Sequence, residues 1–196
     1  MTRNLPNLLS LFRIGLTPLF IICLFNDNKF AHLWALIIFI IASITDTFDG
    51  RIARKYNQIT RQGKFLDPLA DKILVVSAFI SLAIMKIIPC WMVILIIFRD
   101  LFITGLRIAM DARGISMRTS RTAKAKTIVQ MLVIVFILIY LALQVFDSEI
   151  ISTISNFIEK YRLIYFSVLI ATIISIWTGI KYLYNNREII KNFVNS

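Results

Sequence analysis

The chain has 196 residues, 58% of them apolar, and its 22 Lys and Arg against 11 Asp and Glu give a formal charge of +11. That apolar share exceeds the ~45–50% of an average soluble domain and excludes intrinsic disorder, while nucleic-acid binding would explain the charge but not the long apolar stretches. One membrane-embedded folding unit over residues 1–196, with no nucleic acid as partner, is the expected class.

The first apolar stretch runs from Leu8 to Phe25. Arg3 and Arg13 around the start of Ile14–Cys23 imitate a signal peptide, but no small-residue cleavage site follows at Leu24, Phe25 and Asn26, so the stretch reads as a first span. The second, Phe30 to about Lys55, begins FAHLWALIIFIIASI and then meets Asp46, Asp49, Arg51 and Arg54. The third is Pro68 to Met85. The fourth, Pro89 to Met110, opens with WMVILIIF and then meets Arg99, Asp100 and Arg107. Ile128–Phe146 and Leu163–Ile180 come close to the ~20 apolar residues that a transmembrane helix needs. The expected fold is therefore an all-α integral membrane protein, a bundle of six transmembrane helices with a short tail at 185–196. Cys23 and Cys90 read as packing residues, Trp34, Trp91 and Trp177 as interfacial aromatics, and His32 as a residue beside a span, remote from any chemistry.

Six alternating spans put the breaks near 26–30, 86–90 and 147–162 on one side of the membrane. There Lys29, Lys86, Lys160 and Arg162 balance Asp27, Asp147, Glu149 and Glu159, so the whole charge of +11 falls on the other side. Because Lys and Arg are retained in the cytoplasm, both termini and the 51–64 and 111–126 connections are expected there. The charges of spans two to five lie inside the cytoplasmic half of the helices. A charge at that depth costs at least ~2.5–3.5 kcal/mol and faces a bundle interior or a wet cavity, which predicts a polar active-site cavity open to the cytosol.

Residues 46–72 read DTFDGRIARKYNQITRQGKFLDPLADK. Asp46 and Asp49 would project about 60° apart on one helix, and Asp67 and Asp71 about 40° apart on the next. Taken singly, each has a plain structural explanation: Asp67 before Pro68 suits a helix N-cap, and Arg51, Arg54 or Lys72 offer ion pairs. Four carboxylates at one mouth of an apolar bundle repel one another unless cations neutralise them. An all-oxygen donor set favours two divalent cations, Mg²⁺ or Mn²⁺, which would clamp a diphosphate for phosphoryl transfer. A divalent-cation transporter is the rival reading; it would place ionisable groups near the midplane and show repeat symmetry, and no repeat is visible.

The spacing D-x2-D-G-x2-A-R-x8-G-x3-D-x3-D is met by Asp46, Asp49, Gly50, Ala53, Arg54, Gly63, Asp67 and Asp71. This pattern resembles the signature of the CDP-alcohol phosphatidyltransferases. The resemblance implies a six-helix homodimer in the bacterial cytoplasmic (inner) membrane, an active site facing the cytosol, and displacement of CMP from a CDP-linked lipid by an alcohol. By that resemblance Asp46, Asp49, Asp67 and Asp71 are metal ligands, and Asp71 is also the catalytic base for the attacking hydroxyl. Gly50, Ala53, Arg54 and Gly63 become contacts to CDP-diacylglycerol.

Three further segments resemble the phosphatidylglycerophosphate synthases: PNLLSLFR at 6–13, RDLFITGLR at 99–107 and AKAKTIVQ at 123–130. Ser10 stands where Thr is usual and Ala123 where Gly is usual. The resemblance adds Asn7 and Ser10 to the donor site and implies glycerol 3-phosphate as acceptor, with Arg99, Arg107, Lys124 and Lys126 around its phosphate. Fixed cations beside a metal site suit such a dianion. Inositol phosphate would need similar cations, serine or phosphatidylglycerol different partners. Arg107 has a plainer alternative, an i,i+4 pair with Asp111.

Overall fold

The computed structural model describes the backbone of residues 5–55, 63–113 and 121–194, and side chains over 12–45, 72–110, 113 and 125–191. The described chain is helical: α1 (Leu5–Leu24), α2 (Ala31–Lys55), α3 (Gly63–Ile84), α4 (Cys90–Ala112), α5 (Arg121–Leu143), α6 (Glu149–Lys160), α7 (Leu163–Asn185) and α8 (Arg187–Val194). Each expected span falls on one of the long helices, α1 to α5 and α7. Among the described residues two helical segments, Ala125–Leu143 and Leu163–Asn185, are long and apolar enough to cross a membrane, and shorter apolar segments occupy Phe12–Leu24, Ala31–Thr45 and Lys72–Ile84.

Three details differ from the sequence expectation. The 147–162 break contains α6, whose alternation of polar and apolar residues is amphipathic rather than loop-like. Helix α3 starts at Gly63, so Asp67 lies inside it instead of capping it. Cys90, expected in packing, is exposed as the first residue of α4.

The chain divides into two compact units, residues 1–82 with 134–161, and residues 83–133 with 162–196. In the first, α1 packs along α2. Phe20 and Phe39 meet with ring centroids 5.6 Å apart, among buried Leu24, Ala35 and Ala42. The turn joining these helices is made by asparagines: the Asn26 side chain accepts the Asn28 N–H at 2.9 Å, and that of Asn28 accepts the Phe30 N–H at 3.2 Å. Asn side chains that mimic a backbone turn end one helix and start the next without Gly. Farther along α1, Pro18 cannot donate to the preceding turn, and the neighbouring Thr17 hydroxyl bonds back to the Arg13 carbonyl at 3.0 Å.

In the second unit α4 packs on α7. The buried face of α7 is Val168, Ala171, Thr172, Ser175, Thr178, Gly179 and Tyr182. Ala171, Ser175 and Gly179 recur every fourth residue, the small-residue spacing that lets two helix backbones approach closely. Below them Met110 and Tyr182 form a buried pair covered by Ile103, Leu106, Ile189 and Ile190, which docks α8. Asn186 separates α7 from α8, its side-chain amide donating to the Tyr182 carbonyl at 2.9 Å.

Candidate active site

The signature is split between two helices. Asp46, Asp49, Gly50, Ala53 and Arg54 belong to the C-terminal part of α2, and Gly63, Asp67 and Asp71 to the first turns of α3. Because α2 is continuous through this region, Asp46 and Asp49 stand one turn apart on it, as do Asp67 and Asp71 on α3. Their side chains lie outside the described residues, as do those of Asn7 and Ser10 on α1 and Lys124 on α5. Among the described residues no three His, Cys, Asp or Glu converge. The donor chemistry of the four aspartates, all hard oxygen with no thiolate or imidazole, fits Mg²⁺ or Mn²⁺.

The expected acceptor cations are described in part. Arg99 and Lys126 come together through Asp100, one carboxylate oxygen of which accepts from both, at 3.0 Å from Arg99 Nη1 and in a close ion pair with Lys126 Nζ. Arg99 and Asp100 are neighbours on α4, while Lys126 arrives from α5. All three are withdrawn from solvent: Asp100 and Lys126 are 8% exposed and Arg99 is 13% exposed in their side chains. Helix α7 supplies the next contact, since Arg99 Nη2 donates to Thr178 Oγ1 at 3.2 Å. The Thr178 hydroxyl itself bonds back to the carbonyls of Ile174 and Ser175, which fixes the oxygen that Arg99 meets. A charge this far from water is stable only with such partners.

Gly179 makes the arrangement possible. A Cβ there would fall 2.8 Å from Arg99 Nε and 3.0 Å from its Cγ, so the Cγ-to-Nε stretch of the Arg99 side chain lies directly against the bare α7 backbone. The Nε–H is buried and finds no acceptor among the described residues. Of the five N–H groups of Arg99, two are held by Asp100 and Thr178 and one faces Gly179, leaving one on each Nη. Buried polar atoms without a partner are rare. Two more lie within a turn of this network, Gln130 Nε2 on α5 and Ser175 Oγ on α7. Arg107 is exposed, about 12 Å farther along α4 than Arg99 by helical rise.

Sequence reading missed Asp100, Thr178 and Gly179. Asp100 had a signal, since it is the acidic member of the RDLFITGLR segment and stands in an apolar run where an unpaired carboxylate would be costly. Thr178 and Gly179 had none, because their importance depends on a helix 79 residues away in sequence from Arg99.

The profile of the CDP-alcohol phosphatidyltransferase family matches residues 3–177. The chain is 42% identical over 149 residues to a CDP-diacylglycerol–glycerol-3-phosphate 3-phosphatidyltransferase of Bacillus subtilis (strain 168), covering 70% of this chain and 77% of that protein. It is 42% identical over 130 residues to a probable phosphatidylglycerophosphate synthase of Mycobacterium tuberculosis (strain ATCC 25618 / H37Rv), covering 65% of this chain and 62% of that one. A protein of Sodalis glossinidius (strain morsitans) with the same name as the Bacillus relative is 33% identical over 194 residues, 96% of this chain and 97% of its own length.

Proposed function

Because the chain belongs to the CDP-alcohol phosphatidyltransferase family, we propose that it transfers the phosphatidyl group of CDP-diacylglycerol to glycerol 3-phosphate, forming phosphatidylglycerophosphate and CMP. The observation that carries the acceptor is the name shared by the Bacillus and Sodalis relatives, the second aligned over nearly the whole of both chains. The complete set of eight signature residues carries the donor.

The protein works as a six-helix membrane bundle whose carboxylates face the cytosol, in the bacterial cytoplasmic membrane with both termini inside and as a homodimer. The charge distribution supports that orientation, since the entire +11 lies on one side of the six apolar stretches. Asp46, Asp49, Asp67 and Asp71 would hold two divalent cations. When bound, such ions supply neutralisation of the diphosphate and stabilisation of the departing phosphate oxygen.

The remaining chemistry belongs to the chain. The Asp71 carboxylate takes the proton of a glycerol 3-phosphate hydroxyl, whose oxygen bonds to the lipid-side phosphorus while the bond from that phosphorus to the CMP oxygen breaks. Gly50 and Gly63 let backbone approach the nucleotide, Ala53 leaves room for the base, and Arg54 binds phosphate oxygens, with Asn7 and Ser10 completing the donor site. Arg107, Lys124 and Arg99 hold the acceptor phosphate. Arg99 reaches it with the Nη N–H groups that Asp100 and Thr178 leave over, and those two partners fix the plane of the fork. Lys126 contributes through Asp100, with which it is paired.

Release of CMP from CDP-diacylglycerol by the purified protein tests this reading, with Mg²⁺ or Mn²⁺ and with glycerol 3-phosphate, inositol phosphate, serine or no acceptor in parallel. Release that requires glycerol 3-phosphate and is lost in Asp71→Asn is the expected result. Release with a different acceptor overturns the assignment of Arg99, Arg107 and Lys124, and metal-dependent cation flux without CMP release overturns the enzyme.

A further inference from the structure

Helix α6 is amphipathic, and most of its apolar arc is uncovered. On a helical projection Ile150, Ile154, Phe157 and Tyr161 fall within about 60° of one another, with Ile151 and Ile158 at the edge of the same arc. That edge packs inward: Ile158 is 7% exposed. The other four are 71%, 43%, 55% and 51% exposed, a continuous stripe along the whole helix. The opposite side carries Glu149, Ser152, Asn156, Glu159 and Lys160.

The rotation of the helix about its axis is held. The Tyr140 hydroxyl of α5 donates to Glu159 Oε1 at 2.6 Å, within the same compact unit. Phe157 and Tyr161 rings lie 4.6 Å apart, and Lys160 Nζ lies 5.8 Å from the Tyr161 centroid. The stripe therefore ends in an aromatic pair beside a cation, with Arg162 next in the chain.

We propose that α6 lies in the plane of the membrane interface with this stripe sunk into the acyl boundary of the bilayer. Connectivity chooses that occupant. Helices α5 and α7 each carry a segment that, among the described residues, is long and apolar enough to cross a membrane. The end of one and the start of the next then emerge on the same face, and α6 is tied between them by residues 144–148 and 161–162 alone. The 12 residues of α6, about 18 Å long, cannot leave that face. Arg162, at φ 49° and ψ 40°, makes the turn into α7 in left-handed backbone. A helix with a one-sided apolar stripe, aromatic residues and flanking basic residues, held at that depth, has the composition of an interfacial helix: aromatic rings sit at headgroup level and Lys160 and Arg162 reach lipid phosphates. The inference rests on the spanning reading above but not on the reaction.

Spin labels in the full-length protein, reconstituted in phosphatidylglycerol–phosphatidylcholine nanodiscs, test it. In a background with Cys23→Ala and Cys90→Ala, labels go in turn on Ile154→Cys, Phe157→Cys, Ser152→Cys and Asn156→Cys, with Ile173→Cys on the exposed side of α7 as a bilayer reference. Labels at 154 and 157 are expected to be relaxed several-fold more by oxygen than by a water-soluble nickel chelate, and labels at 152 and 156 the reverse. Equal access of nickel to all four positions would place the stripe in water and overturn the proposal. Exclusion of both reagents from 154 and 157, with dipolar broadening between labels, would place a second copy of the chain on it and also overturn it. Nickel access at 173 would sink the spanning reading and this proposal with it.

Discussion

Gly179→Ala is the most informative single change, because two opposing effects can be weighed from the structure. A Gly→Ala replacement within a helix normally stabilises by roughly 0.5–1 kcal/mol. Here the new methyl carbon would lie 2.8 Å from Arg99 Nε, and ordinary contact begins at 3.4 Å, so the guanidinium has to retreat by about 0.6 Å. A retreat of that size away from α7 lengthens the Arg99–Thr178 contact from 3.2 Å to roughly 3.8 Å, past hydrogen-bonding range. Losing a hydrogen bond to a charged donor costs about 1.5–3 kcal/mol, which exceeds the helical gain and leaves a net loss of about 1–2 kcal/mol. For a chain of this size the melting temperature should fall by about 2–8 °C. The KM for glycerol 3-phosphate should rise about three- to tenfold with kcat largely kept, since the fork loses its second fixed corner but the carboxylates are untouched. Gly105→Ala on α4 is the internal control, because nothing lies within 4 Å of a Cβ there. Thermal unfolding in detergent and CMP release against glycerol 3-phosphate concentration read both quantities. If Gly179→Ala is as stable as Gly105→Ala and keeps its KM, the Arg99–Thr178 clamp is refuted.

Other outcomes follow from the same contacts. Asp100→Asn leaves the buried cations Arg99 and Lys126 without the carboxylate they share and should cost about 3–5 kcal/mol; Lys126→Met alone should also destabilise, and the double variant should lose less than the two together, as a double-mutant cycle by thermal unfolding will show. Chelation of divalent metal should abolish CMP release, with recovery on adding Mg²⁺ or Mn²⁺, while Asp71→Asn should remain at least ~10²-fold impaired at saturating metal. Phe20→Ala, at a fully buried position between α1 and α2, should cost about 3–5 kcal/mol without changing the KM for acceptor in the protein that remains folded. Tyr140→Phe removes the hydroxyl that Glu159 accepts and should increase the mobility of a spin label at Ile154→Cys, read from its line width.

What could be read from the residues alone was whatever depends on local pattern. The apolar stretches located all the long helices, because a run of Ile, Leu and Phe of that length has few alternatives. The signature located the carboxylates on α2 and α3 by spacing alone. Two kinds of feature escaped. Helix α6 was hidden because its apolar residues are spread around one side and interleaved with Ser, Thr and Asn, so no window looks like a span. The start of α3 was misplaced because Asp67-Pro68 has the composition of a cap, while the helix begins at Gly63. The Arg99 network escaped for a different reason: Lys126 and Thr178 stand 26 and 79 residues from their partners, and no local pattern links them. Charged residues in an apolar run announced that partners had to exist; which ones was decided by the packing of α4, α5 and α7.

On the proposed function, the continuity of α2 bears on the depth at which the lipid donor would be met. From Ala31 to Asp46 the helix rises about 22 Å, against a hydrocarbon core of about 30 Å. A rod without a break acts as a gauge: wherever the bilayer seats the apolar half, the first carboxylate follows at a set depth. On the spanning reading proposed above, with Ala31 at the outer edge of the hydrocarbon, Asp46 would stand roughly 8 Å short of the inner edge, among the upper acyl carbons. A donor diphosphate meeting that carboxylate would have to sink by about that distance, while its two tails stayed within the leaflet. On the function proposed above, bilayer thickness would become a variable of catalysis, since a thinner or thicker membrane would shift the headgroup plane past carboxylates held at a set height by α2.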